Sequence, residues 1–185
     1  MTELNTIQKK LYPKLAPANI DPVSFLATDY LNHFNELLMM LEMLPDMPDM
    51  LEDLDQWAPK TYPDHFMESG FTDKELATEA YLNAPVAFKT QFDATVSKLD
   101  TLIVSTLNGL HAVGIVERGF SAPARLLLES RIKAMQELLL RLSGIIHGHL
   151  VESAETIQSD SAKDSPDTES ETETQSQDDI DKLFD

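Results

Sequence analysis

Apolar residues recur every third or fourth position over two long stretches of the sequence, which is the period of a helix with one buried face. In the first stretch the stripe consists of Phe92, Val96, Leu99, Ile103, Thr106, Leu110 and Val113. In the second it consists of Leu128, Ile132, Met135, Leu139, Leu142 and Ile146. A spacing near 3.5 residues over about three heptads is typical of coiled coils. The pattern therefore predicts two long helices that pack against each other.

The residues between these stripes predict how the two helices connect. Ser121 followed by Pro123 is typical of a helix start, with an N-cap and a proline in the first turn. The connection from 114 to 120 is short enough to make the two helices antiparallel neighbours. The sequence shows no competing strand pattern. We therefore expect an all-α fold, an antiparallel helical hairpin or helical bundle.

Four further predictions concern the first 84 residues. A helix is expected from Asp21-Pro22 to Leu44, with the stripe Val23, Leu26, Tyr30, Phe34, Leu37, Leu41 and Leu44. Prolines recur between 45 and 70, so only short helices fit there. Thr72 and Glu75 have capping-box spacing, which predicts a helix that closes near Asn83. Residues 1–20 are expected to form an irregular N-terminal arm.

The composition changes at Glu152, which divides the chain. Residues 152–185 hold 12 acidic residues against Lys163 and Lys182, and so carry −10 of the net charge of −18. The sequence predicts a helical bundle domain over 21–151, a disordered acidic linker over 152–175 and a peptide motif over 176–185. A flexible coil of 24 residues spans roughly 25–30 Å.

The net charge of the chain and the residue types that it lacks limit its possible functions. A strongly acidic chain repels phosphate backbones and anionic lipids, so neither nucleic acid nor membrane insertion is expected. The sequence has no cysteine and no apolar run of the roughly 18 residues that span a membrane. We expect a cytoplasmic protein without a cofactor.

The last ten residues, SQDDIDKLFD, carry the clearest interaction pattern. Ile180, Leu183 and Phe184 fall on one helical face, and Asp178, Asp179 and Asp181 surround them with negative charge. Ten residues are too few for a stable isolated helix. The segment is therefore predicted to fold in the groove of a partner protein.

The residues SQDDIDKLF resemble the regulator-binding peptide of the flagellar motor switch protein FliM. They are more loosely similar to the acidic peptide that ends the CheZ family of chemotaxis phosphatases, and both peptides bind the response regulator CheY. The layout of hairpin, acidic linker and terminal peptide also resembles CheZ, whose hairpin pairs with a second copy into a four-helix bundle. The resemblance implies a CheY-like receiver-domain partner and a homodimer formed through the helical hairpin.

The same resemblance raises an enzymatic alternative, a phosphatase that acts on a phosphorylated receiver domain. CheZ-type phosphatases use an acidic residue and a glutamine one turn apart on the second hairpin helix. Here the corresponding acids, Glu129 and Glu137, are followed one turn later by Lys133 and Arg141. Acid–amide pairs with this spacing occur elsewhere, at Glu52/Gln56 and Glu79/Asn83. Because the family's catalytic signature is absent, a non-catalytic adaptor is the favoured interpretation.

A metal-binding helical bundle is the second alternative. Asp29, His33 and Glu36 fall on one face of a predicted helix, and His65 and Glu68 repeat the His-x-x-Glu spacing. Histidine and carboxylate side chains on facing helices form the metal sites of helical bundles. The order here is the reverse of the di-iron Glu-x-x-His motif, so the simpler expectation is no bound metal.

Overall fold

The computed structural model describes residues 4–150, and within this range the regular secondary structure is helical, without strands. The α-helices are α1 (Thr6–Leu15), α2 (Asn32–Met43), α3 (Leu51–Leu54), α4 (Tyr62–Glu68), α5 (Lys74–Leu82), α6 (Val86–Val113), α7 (Ile115–Arg118) and α8 (Ala122–Ile146). The prediction of an all-α protein is confirmed for these residues. None of the described helices is both long and apolar enough to cross a membrane.

The two longest helices, α6 and α8, make the most extensive contact between any two elements. As predicted, Ser121 is the N-cap of α8, where its hydroxyl accepts a hydrogen bond from the amide of Ala124 at 3.3 Å. The predicted stripes supply much of the interior; their buried members are Phe92, Leu99, Ile103, Thr106, Leu110, Leu128, Ile132, Met135, Leu142 and Ile146. Val113 is exposed because α6 ends there, at Gly114.

The N-terminal segment is not the irregular arm that was predicted, because residues 6–15 form α1. Asn5 caps this helix: its side chain accepts hydrogen bonds from the amides of Ile7 and Gln8, each at 2.9 Å. The Gln8 side chain in turn accepts from the Asn5 amide, also at 2.9 Å, which completes a capping box. Leu11 and Leu15 are buried, so tertiary packing adds to the local cap.

The helix predicted to begin at Asp21-Pro22 begins instead at Asn32, after a 3₁₀ turn over Thr28–Leu31. The Asp21 carboxylate does accept from the amides of Val23 and Ser24, as an N-cap would. However, Phe25 has a left-handed φ of 65°, which a right-handed helix excludes.

The segment over 21–27, where the first helical turn was predicted, contacts the end of α8 instead. The buried Ser24 hydroxyl donates to the carbonyl of Ile146 at 2.5 Å, which satisfies one of the carbonyl groups that a helix end leaves without a partner. Phe25 is fully buried in this arrangement, while Val23 from the predicted stripe is 54% exposed. The non-local contact therefore overrides the local helix-start signal.

The short helices predicted between 45 and 84 are present, with one correction. The N-cap of α5 is Asp73, without a side-chain hydrogen bond, so the predicted Thr72–Glu75 capping box does not form. Glu75 consequently lies at the second helical position and not at the third. The predicted closure at Asn83, which is the C-cap of α5, is confirmed.

Aromatic rings connect these short helices to the long ones. Tyr30 lies 5.5 Å from Phe34, 5.3 Å from Tyr62 and 5.4 Å from Phe92, measured between ring centroids. Tyr62 also stacks on Tyr81 at 4.7 Å. These side chains come from the turn before α2 and from α2, α4, α5 and α6, so the cluster fixes where the proline-rich segment lies.

Candidate functional site

Two histidines that are distant in sequence lie side by side at the edge of this aromatic cluster. The ring of His33, from α2, is 6.0 Å from the ring of His65, from α4. Trp57, the only tryptophan in the chain, stacks on His33 with a centroid distance of 5.1 Å and an interplanar angle of 21°. Tyr30 contacts the other side of the pair, 5.3 Å from the His65 ring.

Hydrogen bonds between aromatic side chains and the backbone fix the surroundings of the histidine pair. The indole N–H of Trp57 donates to the carbonyl of His33 at 3.0 Å. The Tyr30 hydroxyl donates to the carbonyl of Lys60 at 2.7 Å, and the Tyr62 hydroxyl accepts from the amide of Ala27 at 2.8 Å. These three bonds attach the proline-rich loop to α2 and to the turn before it.

Burial favours the neutral form of both imidazoles. Burial, followed by the neighbouring His65 and Lys60, lowers the pKa of His33 to about 4, although a hydrogen bond to the Ala58 backbone acts in the opposite direction. Burial also lowers the pKa of His65, against the effect of a hydrogen bond to the Asp29 backbone. The Nε2 atom of His33 is buried without a hydrogen-bond partner in the described part of the chain. A neutral imidazole nitrogen of this kind is a hydrogen-bond acceptor or a potential ligand.

Two grooves flank the pair. The larger, of about 670 Å³, is polar: Asp29, Glu36 and His65 line it together with Asn19 and Asp73. The smaller, of about 260 Å³, is lined by His33 and Trp57, and again by Glu36. Glu68 lines neither groove and pairs with Lys60 at 2.7 Å instead.

The sequence-based candidates for a metal site are therefore neighbours without being a ligand set. Within residues 4–150, no group of three or more histidine, aspartate and glutamate side chains is arranged to hold a metal ion. His33 and His65 open onto different grooves, and Glu68 is engaged by a lysine. The arrangement offers a partly buried histidine pair in which both pKa values are lowered.

The two acid–amide pairs considered for catalysis lie in different local structures. Glu52 lies on α3, which ends at Leu54, so Gln56 lies beyond the end of the helix. Asn83 follows Glu79 by one turn, yet its amide donates to the backbone carbonyl of Glu79 at 2.8 Å. One N–H of this amide is therefore used to close the helix.

A third groove, of about 380 Å³, contains titratable groups that the sequence analysis missed. Burial raises the pKa of the Asp100 carboxyl to about 6, and one of its oxygens is buried without a hydrogen-bond partner among the described residues. Nearby, the Tyr81 hydroxyl donates to Asp93 at 2.8 Å, and Lys89 pairs with Asp93 at 2.7 Å. The i,i+4 spacing of Lys89 and Asp93 could have indicated this ion pair; no local pattern marks Asp100.

The stability of the helical domain should fall in acid because of His33. Its pKa is lower in the folded state, about 4, than the value of about 6.5 in an unfolded chain. The contribution is therefore complete above pH ~6.5 and is lost as the pH falls towards ~4. Because the side chain is only partly buried, we expect a loss on the order of 1–2 kcal/mol. Urea titrations followed by circular dichroism at pH 7 and pH 4 measure it.

Two variants separate this effect from general acid denaturation. His33→Phe keeps the ring that stacks on Trp57 but cannot titrate, so its stability should depend less on pH over this range. Asp100→Asn should act in the opposite way, because the folded-state pKa of Asp100 is raised to about 6 and its contribution is lost as the pH rises through that value. It should stabilise the domain by about 1 kcal/mol at pH 7 and leave it unchanged near pH 4. An unaltered pH profile in His33→Phe would contradict the assignment.

The predicted partner-binding residues Asp178, Asp179, Ile180, Asp181, Leu183 and Phe184 lie outside the residues that the structure describes, as does the predicted linker over 152–175. None of the grooves described above is lined by these residues. Comparison of the chain with known protein families, with curated proteins and with solved structures finds no match.

Proposed function

We propose that this chain is a non-catalytic adaptor that binds a receiver-type response regulator through its C-terminal peptide. The observation that carries the proposal is the sequence pattern of 176–185. Ile180, Leu183 and Phe184 are spaced for one helical face within an acidic peptide that resembles the regulator-binding segment of FliM. Chemotaxis or a related two-component pathway is the corresponding setting, and the cytoplasm the corresponding compartment.

Charge supports a regulator with a basic groove as the partner. The last 34 residues carry −10 of the net charge of −18, and three aspartates, Asp178, Asp179 and Asp181, adjoin the apolar side chains of the peptide. Complementary charge increases the rate of encounter and selects among partners, while the buried apolar side chains supply most of the affinity. In this peptide the aspartates would supply the complementary charge, and the three apolar side chains would supply most of the affinity.

The helical domain supplies the second half of the proposal, a homodimer formed through the helical hairpin. Dimerisation presents two copies of the peptide on one particle. Two weak peptide contacts to a clustered partner then give an avidity greater than either affinity. A site for catalysis is not needed for this function.

The test compares the full-length chain with a form that lacks 176–185, using a purified CheY-like receiver domain. We expect the full-length chain to bind and the truncated form to lose binding, with helicity and thermal stability unchanged. Intact binding by the truncated form would exclude the peptide as the contact.

The same two proteins distinguish the adaptor from the phosphatase alternative. Decay of the phosphorylated receiver domain is measured with and without the full-length chain. An adaptor leaves the decay rate unchanged while it binds, whereas faster decay would identify an enzyme. Stoichiometric iron, manganese or zinc in the purified protein would favour the metal-binding alternative.

A further inference from the structure

The outer face of α8 combines exposed leucines with a regular row of charges. Leu126 and Leu140 are 67% and 76% exposed, although both lie on a helix that is packed against α6 on its other side. Charged residues occupy every fourth position between them and just beyond; the row is Glu129, Lys133, Glu137 and Arg141. All four are exposed, and at 3.6 residues per turn the row follows the same face as the two leucines.

The four charges have no ion-pair partner within residues 4–150. The sequence spacing would allow Glu129 to pair with Lys133, and Glu137 with Arg141, but neither pair forms. Arg125, one turn earlier in the row, differs: it donates to the carbonyl of Pro45 at 2.8 Å and lies 3.5 Å from Asp46. The row from 129 to 141 therefore presents alternating charge to its surroundings.

This alternation is complementary to itself when a second copy is turned around. In a two-fold symmetric pair of antiparallel helices centred between Lys133 and Glu137, each of these residues faces the other in the second copy. The same symmetry places Glu129 opposite Arg141. A register centred on Lys133 would instead bring Glu129 against Glu137, and like charges would oppose it.

The apolar residues fit the same register. Leu126 falls opposite Gly144, the smallest residue on this face, and Leu140 falls opposite Ser130. Beside Leu140 a groove of about 440 Å³, lined also by Leu38, Met39 and Leu139, extends the apolar area towards α2. Small residues opposite large ones allow two helices to approach closely.

We propose that the outer face of α8 is the homodimer interface, with α8 of a second copy packed antiparallel against it in the register centred between Lys133 and Glu137. This narrows the dimer of the proposed function from the hairpin as a whole to its α8 side, away from α6, and it does not depend on regulator binding. A contact centred on one helix pair is smaller than the roughly 1,200–2,000 Å² of most stable interfaces. The dissociation constant is therefore expected in the micromolar range.

A charge-swap cycle tests the interface and its register. Sedimentation velocity of the full-length protein should show a monomer–dimer equilibrium in the absence of any regulator. Lys133→Glu and Glu137→Lys should each weaken the dimer about tenfold or more, because each places like charges opposite one another twice in a symmetric pair. The double swap should restore the dissociation constant to near its original value. Lys98→Glu, an exposed charge reversal on α6, is the matched control and should have no comparable effect.

A second pair of variants tests the apolar part of the surface. Leu140→Asp should give a monomer, whereas Val104→Asp, at an exposed apolar position of α6, should leave the dimer intact. Circular dichroism establishes that each variant is folded. A wild-type protein that is monomeric at every concentration would overturn the inference, as would a double swap that fails to restore what the single swaps lose. Either result can coexist with intact regulator binding, which would leave the peptide proposal standing.

Discussion

Replacing both Leu183 and Phe184 with alanine is expected to abolish binding of the chain to a CheY-like receiver domain. In a peptide that folds in a partner's groove, a few buried apolar side chains carry most of the binding free energy. Burying one large apolar side chain contributes ~1.5–3 kcal/mol, so losing two costs on the order of 3–6 kcal/mol. That corresponds to roughly two to four orders of magnitude in the dissociation constant. Calorimetric titration of the receiver domain measures it directly.

The matched control is Lys182→Ala, a change within the same segment at a position off the face formed by Ile180, Leu183 and Phe184. It should change affinity much less than the double variant. Asp181→Asn should have an intermediate effect that weakens as salt is added, because it removes a charge and not an anchor. If the double alanine variant still binds with the affinity of the original chain, the apolar face is not the contact.

The long helices could be predicted because their signals are local and repeated. The stripes of α6 and α8 have the same period over several turns, and Ser121 with Pro123 marks the start of α8. Each turn of such a helix repeats the same apolar pattern, so several turns support one assignment. The connection between α6 and α8 was harder to predict. The sequence indicated its length but not the short helix α7 within it.

The errors near the N-terminus have two different causes. The start of α1 had a local signal that was not recognised: Asn5 and Gln8 have the spacing of a capping box built from amides. The segment from 21 to 27 had the opposite problem. Its helix-start signal at Asp21 is real, but the hydrogen bond from Ser24 to Ile146 and the left-handed Phe25 depend on a helix more than 100 positions away. No local pattern could indicate that contact.

The histidine pair was predicted only in part. The repeated His-x-x-Glu spacing singled out both His33 and His65, and the fold does bring their rings within 6.0 Å. Spacing along a helix, however, says nothing about which groove a side chain opens onto. The stacking of Trp57 and the pairing of Glu68 with Lys60 arise from packing, and they determine that the group is a neutral pair and not a ligand set.

The aromatic cluster that positions this pair should also be the most sensitive part of the helical domain. Phe92 is buried on α6 and lies 5.4 Å from Tyr30, 5.6 Å from Tyr62 and 6.2 Å from Tyr81. Phe92→Ala is expected to destabilise the domain by about 3–5 kcal/mol. Removing the ring leaves a cavity that the surrounding aromatic side chains cannot fill, because their own contacts hold them in place. For a domain of this size, that lowers the midpoint of thermal unfolding by about 6–20 °C.

Phe88→Ala, one turn earlier on α6, is the matched control, because the Phe88 ring is only partly buried at the edge of the same core. Its smaller loss of buried area should cost correspondingly less. Urea denaturation monitored by circular dichroism gives both free energies of unfolding. The emission of Trp57, two rings away from Phe92 through Phe34 and Tyr30, reports whether the loop over α2 is released in the same transition. A Phe92→Ala protein no less stable than the Phe88→Ala control would show that the cluster does not hold α6 to the short helices.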